Sequence, residues 1–466
     1  MKKGREYDRN EIEVISRSAI GKSFNDILND ELITLEDENA LNKGGLGQYI
    51  EQYLFGIDTN SDSEPDFMPA GIELKVTPYK KIKGGKLSAK ERLVLNIIDF
   101  MTEYKNEFKT SHFWYKNNTI QLLWYLWEPN KAKKDFKITH EKLLELSKSE
   151  DLKQIEEDWN FIIQKIKDGK AHEISEADTM YLGACSKGAN ANSTREQPFN
   201  DLPAMQRAFC FKTSYMTQLV RKYIGDYSDV EKIVKDSNYS FDVYIKRIAD
   251  KYIGKSETEL LELFNVSKQS KDKYSLIVNR MFNMKRGLKK SEEFLKANII
   301  PKTIRLESNG KIKESISFPA FTFKDIINEK WEDSELKEEL ETTKYMFFIF
   351  KKEHDEYVFK GYKLWNMPQI IIDSVVEKFW KKTVKTIKEG VNFTVKNNTV
   401  YNNLPGMADN GYVHVRPHTN KAAYKLNNGY QKGNINKYAD ELPNGEWMTK
   451  QCFWFNNTYI EKILNE

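Results

Sequence analysis

The residues of this sequence that are best suited to chemistry lie in one short stretch, SEPDFMPAGIELK at 63–75. Asp66 lies in a bend that contains proline, and Glu73 and Lys75 follow on one face of an alternating strand. Two carboxylates placed together can hold Mg²⁺, which prefers hard oxygen ligands and keeps several waters. A lysine two residues further on can position or deprotonate an attacking water and neutralise phosphate charge. Hydrolysis of a phosphodiester requires this combination of groups.

On spacing alone, the alternative interpretation is a solvated strand face. Charged residues make up 30% of the chain, so a pattern of this kind arises easily by chance. Two features favour a site instead. The apolar residues of GIELKV alternate with the charged ones, which places Glu73 and Lys75 on the same face. In addition, Glu51 on a preceding helical segment can supply a third acid.

The elements that must position these residues follow from hydrophobic periodicity. Residues 46–55 and 154–166 carry apolar side chains at helical spacing. Residues 120–127 and 345–350 are short, aromatic-rich apolar runs, and their length favours buried strands. We therefore predict a mixed α/β (α+β) fold in which helices surround a central mixed sheet.

An internal repeat organises the chain. Segments of the first half match segments of the second half in the same order, at offsets that vary as loop insertions would make them vary. The matched pairs are 20–23 with 253–256, 67–76 with 294–303, 155–169 with 376–390, and 208–220 with 452–464. The third pair aligns Trp159 with Trp380. We predict two related domains, residues 1–235 and 240–466, joined by a charged helical connection near 222–252.

Composition restricts the class of protein. The 73 Lys and Arg nearly balance the 69 Asp and Glu, which excludes a basic tail protein but leaves room for a local basic cleft. The 39% hydrophobic content excludes a disordered chain. The 3 cysteines form no CxxC pair, so a disulfide scaffold is disfavoured and a cytoplasmic location is predicted. We expect no membrane association, because no apolar run approaches the ~18 residues of a membrane span.

Several longer motifs carry a resemblance to a known family. They are NKGGLGQYIEQYLFG, PDFMPAGIELKVTP, FKTSHFWYK, DWNFIIQKIKDG, YLGACSKGANA and QRAFCFKTSY. In this order they resemble the motifs of MutH, the GATC-nicking mismatch-repair endonuclease. KERLVLNIIDF and the doubled length are similar to the Sau-three-A-I type of GATC-cutting restriction endonuclease. The resemblance implies tandem MutH-like domains of the restriction-endonuclease-like, PD-(D/E)xK fold, and Mg²⁺-dependent cleavage of double-stranded DNA.

The resemblance also implies roles for individual residues. Asp66 and Glu73 resemble the family's metal ligands, and Lys75 resembles its catalytic lysine. Glu51 matches the helix glutamate of the active site, and Lys116 matches a further active-site lysine. The expected DNA-binding residues are Lys43, Lys187, Arg207, Tyr215, Arg416, His418 and Lys421. One departure affects base readout in the first copy, because the Arg-Pro-Lys of the MutH loop is replaced by Cys185-Ser186-Lys187.

The second copy provides an internal control. At an offset of 227, Glu51 falls on Val278 and Glu73 on Ile300, whereas Asp66 falls on Glu293 and Lys75 on Lys302. An isoleucine in place of a metal ligand and a valine in place of the helix acid should abolish metal chemistry. The second half nevertheless keeps Arg416-Pro417, which resembles the family's base-reading loop. We therefore predict one cutting domain and one DNA-binding, effector domain.

The sequence as a whole predicts a type II restriction endonuclease that cuts double-stranded DNA at GATC and leaves 5′ overhangs. We expect the chain to be a monomer in free solution, organised as an internal pseudo-dimer, and to pair with a second chain on DNA. We also expect a cognate DNA methyltransferase in the host. Two alternatives remain open, a MutH-type mismatch-repair nicking enzyme and a non-catalytic DNA-binding regulator. The duplication argues against the first, and an intact acid set beside a degraded second copy argues against the second.

Overall fold

The structure is a computed structural model that describes residues 7–28, 45–57, 64–188, 193–225, 227, 230–234 and 239–465. The chain divides into two compact units. The first comprises Met1–Tyr244 and Leu288–Ile299, and the second comprises Ile245–Gly287 and Ile300–Glu466. The division lies near the predicted domain boundary, but Leu288–Ile299, which belongs to the second half by sequence, folds with the first unit. None of the helices among these residues is long and apolar enough to cross a membrane.

Both units contain helices, strands and short 3₁₀ turns, and the second unit also has a π-helical turn at Ile372–Val376. The described helices are α1 (Arg9–Ser18), α2 (Phe24–Leu28), α3 (Gly45–Tyr53), α4 (His112–Asn117), α5 (Leu152–Lys167), α6 (Thr213–Tyr223), α7 (Phe241–Ala249), α8 (Glu257–Leu263), α9 (Lys273–Met281), α10 (Glu292–Ala297), α11 (Phe323–Ile326), α12 (Glu335–Thr342), α13 (Gln369–Ile371), α14 (Glu377–Glu389), α15 (Ile435–Tyr438) and α16 (Asn457–Asn465). The described strands are β1 (Glu73–Lys81), β2 (Leu87–Ala89), β3 (Leu93–Ile97), β4 (Thr119–Leu126), β5 (Ile138–Glu145), β6 (Leu182–Ser186), β7 (Thr194–Gln197), β8 (Asn200–Met205), β9 (Arg207–Phe211), β10 (Ile299–Leu306), β11 (Ser317–Ala320), β12 (Lys344–Glu353), β13 (Glu356–Trp365), β14 (Phe393–Lys396), β15 (Thr399–Asn402), β16 (Val413–Pro417), β17 (Tyr424–Lys425), β18 (Gln431–Lys432), β19 (Ala439–Glu441), β20 (Trp447–Thr449) and β21 (Gln451–Phe455).

Two sheets form the framework of the first unit. One has the strand order β2-β1-β4-β5, in which β1 runs parallel to β4 and antiparallel to β2. The other has the order β3-β9-β6 with antiparallel neighbours. A hairpin of β7 and β8 lies between β6 and β9 in the chain.

The second unit repeats this topology. Its sheets have the orders β10-β12-β13 and β11-β21-β16, so the middle strands β12 and β21 correspond to β4 and β9 of the first unit. The antiparallel pairs β12–β13 and β16–β21 match β4–β5 and β6–β9 in direction. An additional sheet of order β18-β17-β20-β19 follows β16, whereas the described residues 193–206 of the first unit, between β6 and β9, form the β7–β8 hairpin. The equivalent strand orders support the internal repeat independently of the sequence alignment.

Apolar residues of the repeated elements form a core in each unit. In the first unit, Ile72 and Leu74 are buried in the cluster that holds Tyr49 and Ile50 of α3, and Val76 packs against it. This confirms the predicted apolar face of β1. A matching aromatic pair lies elsewhere in each unit, with ring centroids 5.7 Å apart both for Phe108 with Trp159 and for Trp331 with Trp380.

Most predicted elements are confirmed, and the predicted helical connection is confirmed in part. The helices predicted over 46–55 and 154–166 are α3 and α5, and the strands predicted over 120–127 and 345–350 lie in β4 and β12. The charged helical connection predicted near 222–252 is confirmed only in part, because its described residues form a helix at α7 but not between Tyr223 and Phe241. Among the described residues, α6 ends at Tyr223, α7 begins at Phe241, and 230–234 has no helix. The backbone of residues 230–234 is held instead by the side chain of Glu293 on α10, which accepts hydrogen bonds from Ile233 N and Val234 N.

Candidate active site

A tight reversal of the chain places the first acid of the site. The backbones of Phe67 and Ile72 pair with each other, with Phe67 N donating to Ile72 O at 2.9 Å. Between them Gly71 has a φ of 63°, in the left-handed region that favours glycine. The reversal returns Asp66 to the start of β1, which explains how a residue seven positions before Glu73 comes to lie beside it.

Hydrogen bonds fix the two acids against each other. Leu74 N donates to Asp66 Oδ2 at 2.9 Å, and Asp66 N donates to Glu73 Oε2 at 3.3 Å. Glu73 is almost fully buried, with 1% of its surface exposed. A buried carboxylate is costly unless charge or hydrogen bonds compensate for the lost water. Glu73 therefore needs cationic partners.

Two lysines supply these partners. Lys75 Nζ lies 2.6 Å from Glu73 Oε1, and Lys116 Nζ lies 3.8 Å from the same oxygen. Lys75 shares the face of Glu73 because side chains two apart on a strand point the same way. Lys116 comes from the last turn of α4, immediately before β4, the parallel neighbour of β1. Both lysine side chains keep part of their surface exposed, 20% and 13% respectively.

Burial and like charges raise the proton affinity of the acids. Burial raises the pKa of Glu51 on α3 to about 7, and the negative charge of Asp66 adds to this effect. Burial also raises the pKa of Glu73 from its ordinary value, while the Lys75 ammonium acts in the opposite direction. Carboxylates that repel one another in this way are stabilised by a cation placed among them.

The oxygen donors fit a hard divalent cation with an incomplete protein shell. In the described part of the chain, no group of three or more His, Cys, Asp or Glu side chains is arranged to hold a metal ion. Asp66 and Glu73 together offer carboxylate oxygens alone, the donor type of Mg²⁺, which completes its shell with water. The structure thus brings together all the residues predicted for the active site, Glu51, Asp66, Glu73, Lys75 and Lys116.

The second copy has no equivalent acid set at the aligned positions. Val278 on α9 is buried at 2% exposure, and Ile300 lies in β10, where the first copy has Glu51 and Glu73. The one retained acid, Glu293, is occupied by the backbone amides of Ile233 and Val234.

Strand register aligns a further pair of segments between the copies. Cys185 of β6 pairs with Ala208, and Arg416 of β16 pairs with Cys452. The sequence repeat independently aligns Ala208 with Cys452 at an offset of 244. Cys185-Ser186-Lys187 therefore occupies the position of Arg416-Pro417-His418. This tripeptide begins at the end of a strand, and not within a loop as the sequence suggested.

The same position is built differently in the two copies. The Arg416 guanidinium lies 3.8 Å from the ring centroid of Trp454 and is half-buried at the end of β16. In the first copy Cys185 is buried beside Cys210, which aligns with Trp454. Sequence reasoning missed the role of Trp454, although the repeat alignment, which puts tryptophan on cysteine, contained the signal. A stacked, planar guanidinium is suited to bidentate recognition of a base edge.

The remaining predicted DNA-binding residues divide by exposure. Lys187, His418 and Lys421 are exposed. Arg207 and Tyr215 are buried, at 4% and 3% exposure.

The two buried residues have partners within the first unit. Arg207 Nη1 donates to Ala184 O at 2.7 Å, and the Tyr215 hydroxyl donates to Asp151 Oδ2 at 3.1 Å. Neither has the surface for a direct DNA contact, so we revise both expectations to structural roles. Lys43 lies outside the described residues.

Comparison with known proteins identifies the family. The family model described as DNA mismatch repair enzyme MutH matches residues 55–158, a range that contains Asp66, Glu73, Lys75 and Lys116. The type II restriction enzyme Sau3AI of Staphylococcus aureus is 39% identical over 97% of this chain and 97% of its own length. The chain belongs to the MutH-like type II restriction enzymes.

The mismatch-repair relatives match less of this MutH-like restriction enzyme. The DNA mismatch repair protein MutH of Shewanella woodyi is 28% identical over 40% of the chain, and that of Shigella flexneri is 25% identical over 42%. These proteins correspond in extent to about one copy of the repeat. Membership of the restriction-enzyme family makes the chain a site-specific deoxyribonuclease that hydrolyses phosphodiester bonds of double-stranded DNA.

Proposed function

We propose that this restriction enzyme recognises GATC, requires Mg²⁺, and cuts through a single active site in its first unit. The observation that carries the proposal is the buried Glu73 carboxylate, held by Asp66 on one side and by two lysine ammonium groups on the other. The full-length match to Sau3AI supports assignment of the whole chain to restriction, and the short MutH matches disfavour a mismatch-repair nicking enzyme.

Asp66 and Glu73 would hold the Mg²⁺ ion. When bound, Mg²⁺ supplies a Lewis acid that offsets negative charge on the scissile phosphate. The pKa of Glu51 is raised to about 7, so its side chain carries a proton part of the time near neutral pH. Once deprotonated, it adds a third carboxylate to the site.

The lysines complete the site with different tasks. Lys75 shares a carboxylate oxygen with the proposed metal site, so its ammonium group can orient the attacking water. Lys116 reaches the same oxygen from another element, and its positive charge can stabilise the charge that develops on the phosphate. Because these cations are held in place before DNA binds, they cost little reorganisation during the reaction.

The second unit would bind DNA without cutting it. It lacks the acids at the aligned positions of Val278 and Ile300, and it carries Arg416 on Trp454 where the first unit has Cys185. Lys187 of the first unit and His418 and Lys421 of the second would contact phosphates. Binding at one unit can favour cleavage at the other only through a difference in affinity between two states, typically about 1–3 kcal/mol.

One active site breaks one strand in each engagement, so double-strand cleavage needs a second catalytic domain or a second binding event. We expect two chains, monomeric in free solution, to meet on DNA, each contributing its first unit. Cutting before the G of GATC would leave 5′ overhangs. Because such an enzyme would also attack host DNA, a cognate methyltransferase should protect the same sequence.

Digestion of unmethylated plasmid DNA with Mg²⁺, followed by sequencing of the fragment ends, tests this function. We expect linear fragments whose ends all map to GATC. A product of nicked circles alone would favour the mismatch-repair alternative, and intact plasmid under all conditions would favour a non-catalytic regulator.

A further inference from the structure

Glu103 is a buried acid that the proposed chemistry does not use. Only 2% of its side chain is exposed, and it lies in the 3₁₀ turn Glu103–Lys105, before α4. Glu103 Oε1 accepts hydrogen bonds from Phe113 N and from Trp159 Nε1, both at 3.3 Å, and Oε2 lies 2.9 Å from His112 Nδ1. One carboxylate thus joins the first turn of α4 to the core helix α5.

The short helix that Glu103 holds carries the active-site lysine. Lys116 is in the last turn of α4, four residues after His112, and its ammonium group reaches Glu73. A six-residue helix has little stability of its own, so its position depends on its end contacts and its packing. The Ser111 hydroxyl also caps this first turn, because it accepts a hydrogen bond from Trp114 N at 3.0 Å. A change in the contacts of the first turn would therefore move Lys116 relative to Glu73.

Comparison with the second copy shows whether Glu103 is needed to form this helix or is associated with Lys116. At an offset of 223, Phe108 aligns with Trp331 and the cap Ser111 aligns with Ser334, which caps α12 in the same way. Glu103 then falls on the buried Ile326, and Lys116 falls on Glu339. The second copy builds the corresponding helix without the acid. The acid and the lysine occur together, in the copy that has the active site.

From this we propose that Glu103 is a positioning residue, which fixes α4 so that Lys116 is aimed at the reacting phosphate. The inference rests on the proposed function of the first unit. Displacement of a catalytic group by about 1 Å can cost roughly 10²-fold in rate, so loss of the Glu103 contacts should be visible in the cleavage step.

A double-mutant cycle on the full-length enzyme tests the proposal. Single-turnover cleavage of a GATC duplex would be measured for wild type, Glu103→Gln, Lys116→Ala and the double variant, and duplex affinity would be measured in Ca²⁺. We expect Glu103→Gln to slow cleavage about 10- to 100-fold with duplex affinity within twofold of wild type. In the Lys116→Ala background the same change should alter the rate less than about twofold.

Two further variants keep the test decisive. Glu176→Gln alters another buried acid, one that pairs with Arg92, and any slowing it causes should be equal in both backgrounds. If Glu103→Gln does not fold, Trp159→Phe removes one donor to Glu103 and should show the same dependence on Lys116. Cleavage by Glu103→Gln within twofold of wild type, or equal slowing in both backgrounds, would overturn the proposal. Absence of cleavage by the wild type would instead refute the proposed function.

Discussion

Lys75 Nζ lies 2.6 Å from Glu73 Oε1, two residues along the same strand, and this contact pairs the most buried acid of the active site with a cation that retains solvent exposure. Lys116 approaches the same oxygen from α4 at 3.8 Å. Glu73 is therefore the most desolvated acid of the site, and it contacts the ammonium groups of two lysines that come from different elements. Its position follows from the alternation of β1, whose opposite face is buried in the core.

The metal dependence of the enzyme should separate binding from cleavage. Ca²⁺ accepts the same oxygen ligands as Mg²⁺ but is a weaker Lewis acid with looser geometry. We expect specific binding without cleavage in Ca²⁺, and cleavage after Mg²⁺ is added. Gel-shift and cleavage assays on one duplex measure both. Full cleavage in excess chelator would contradict a metal site at Asp66 and Glu73.

Glu51 should make the stability of the metal-free protein depend on pH. Its pKa is about 7 in the folded protein, above the ordinary 4.5 of an unfolded chain. Between these values the folded protein retains a proton that the unfolded chain releases, so the free energy of unfolding falls as pH rises through this window. Glu51→Gln removes this contribution.

We expect urea unfolding of Glu51→Gln to show a stability gain over wild type that grows by about 1–2 kcal/mol from pH 5 to pH 7.5. The full shift would give more, but the Glu51 carboxyl is only partly buried. A constant difference between the two proteins over this range would show that Glu51 does not titrate as described.

Arg416 and Lys421 should differ in what they contribute to DNA binding. Arg416→Ala should weaken binding to GATC duplex by about 1–3 kcal/mol with little effect on scrambled DNA. Lys421→Ala should weaken binding to both DNAs alike and reduce the number of counterions released on binding by about one. Anisotropy titrations at several salt concentrations, with Lys75→Ala present to prevent cutting, give both quantities. Equal effects of the two variants on both DNAs would remove the base-reading role of Arg416.

The effector role of the second unit should be visible on plasmids. We expect slow cleavage of a plasmid with one GATC site, and acceleration of about 5- to 150-fold when a short GATC duplex is added. Arg416→Ala should lose this acceleration while its first unit keeps an intact active site. If plasmids with one site and with many sites are cut at the same rate, and the duplex has no effect, the second unit is a structural support.

The part of the active site formed by Asp66, Glu73 and Lys75 could be predicted because its determinants are local, whereas Lys116 comes from another element and was assigned through the family resemblance. The alternation of GIELKV places Glu73 and Lys75 on one face, and the reversal at Gly71 adds Asp66 within a few residues. The repeat could also be recognised from the sequence, because Trp159 of α5 aligns with Trp380 of α14, and Gly169 aligns with Gly390 just after these helices.

Contacts between distant segments could not be predicted in the same way. Tyr215 was expected at the DNA, but its hydroxyl donates to Asp151, 64 residues away in sequence. Glu103 was not recognised, because its three donors come from α4 and α5 and no local pattern marks a buried acid. The inclusion of Leu288–Ile299 in the first unit likewise depends on packing that periodicity does not encode.

A matched pair of lysine variants tests most directly whether a single copy cuts. Lys75 and Lys302 occupy equivalent positions in β1 and β10. The measurement is the single-turnover rate of cleavage of a GATC duplex in Mg²⁺. We predict that Lys75→Ala lowers this rate at least about 10²- to 10³-fold with DNA affinity retained, and that Lys302→Ala cleaves within a few-fold of wild type. A wild-type rate for Lys75→Ala, or an equal loss in both variants, would contradict a single active site in the first unit.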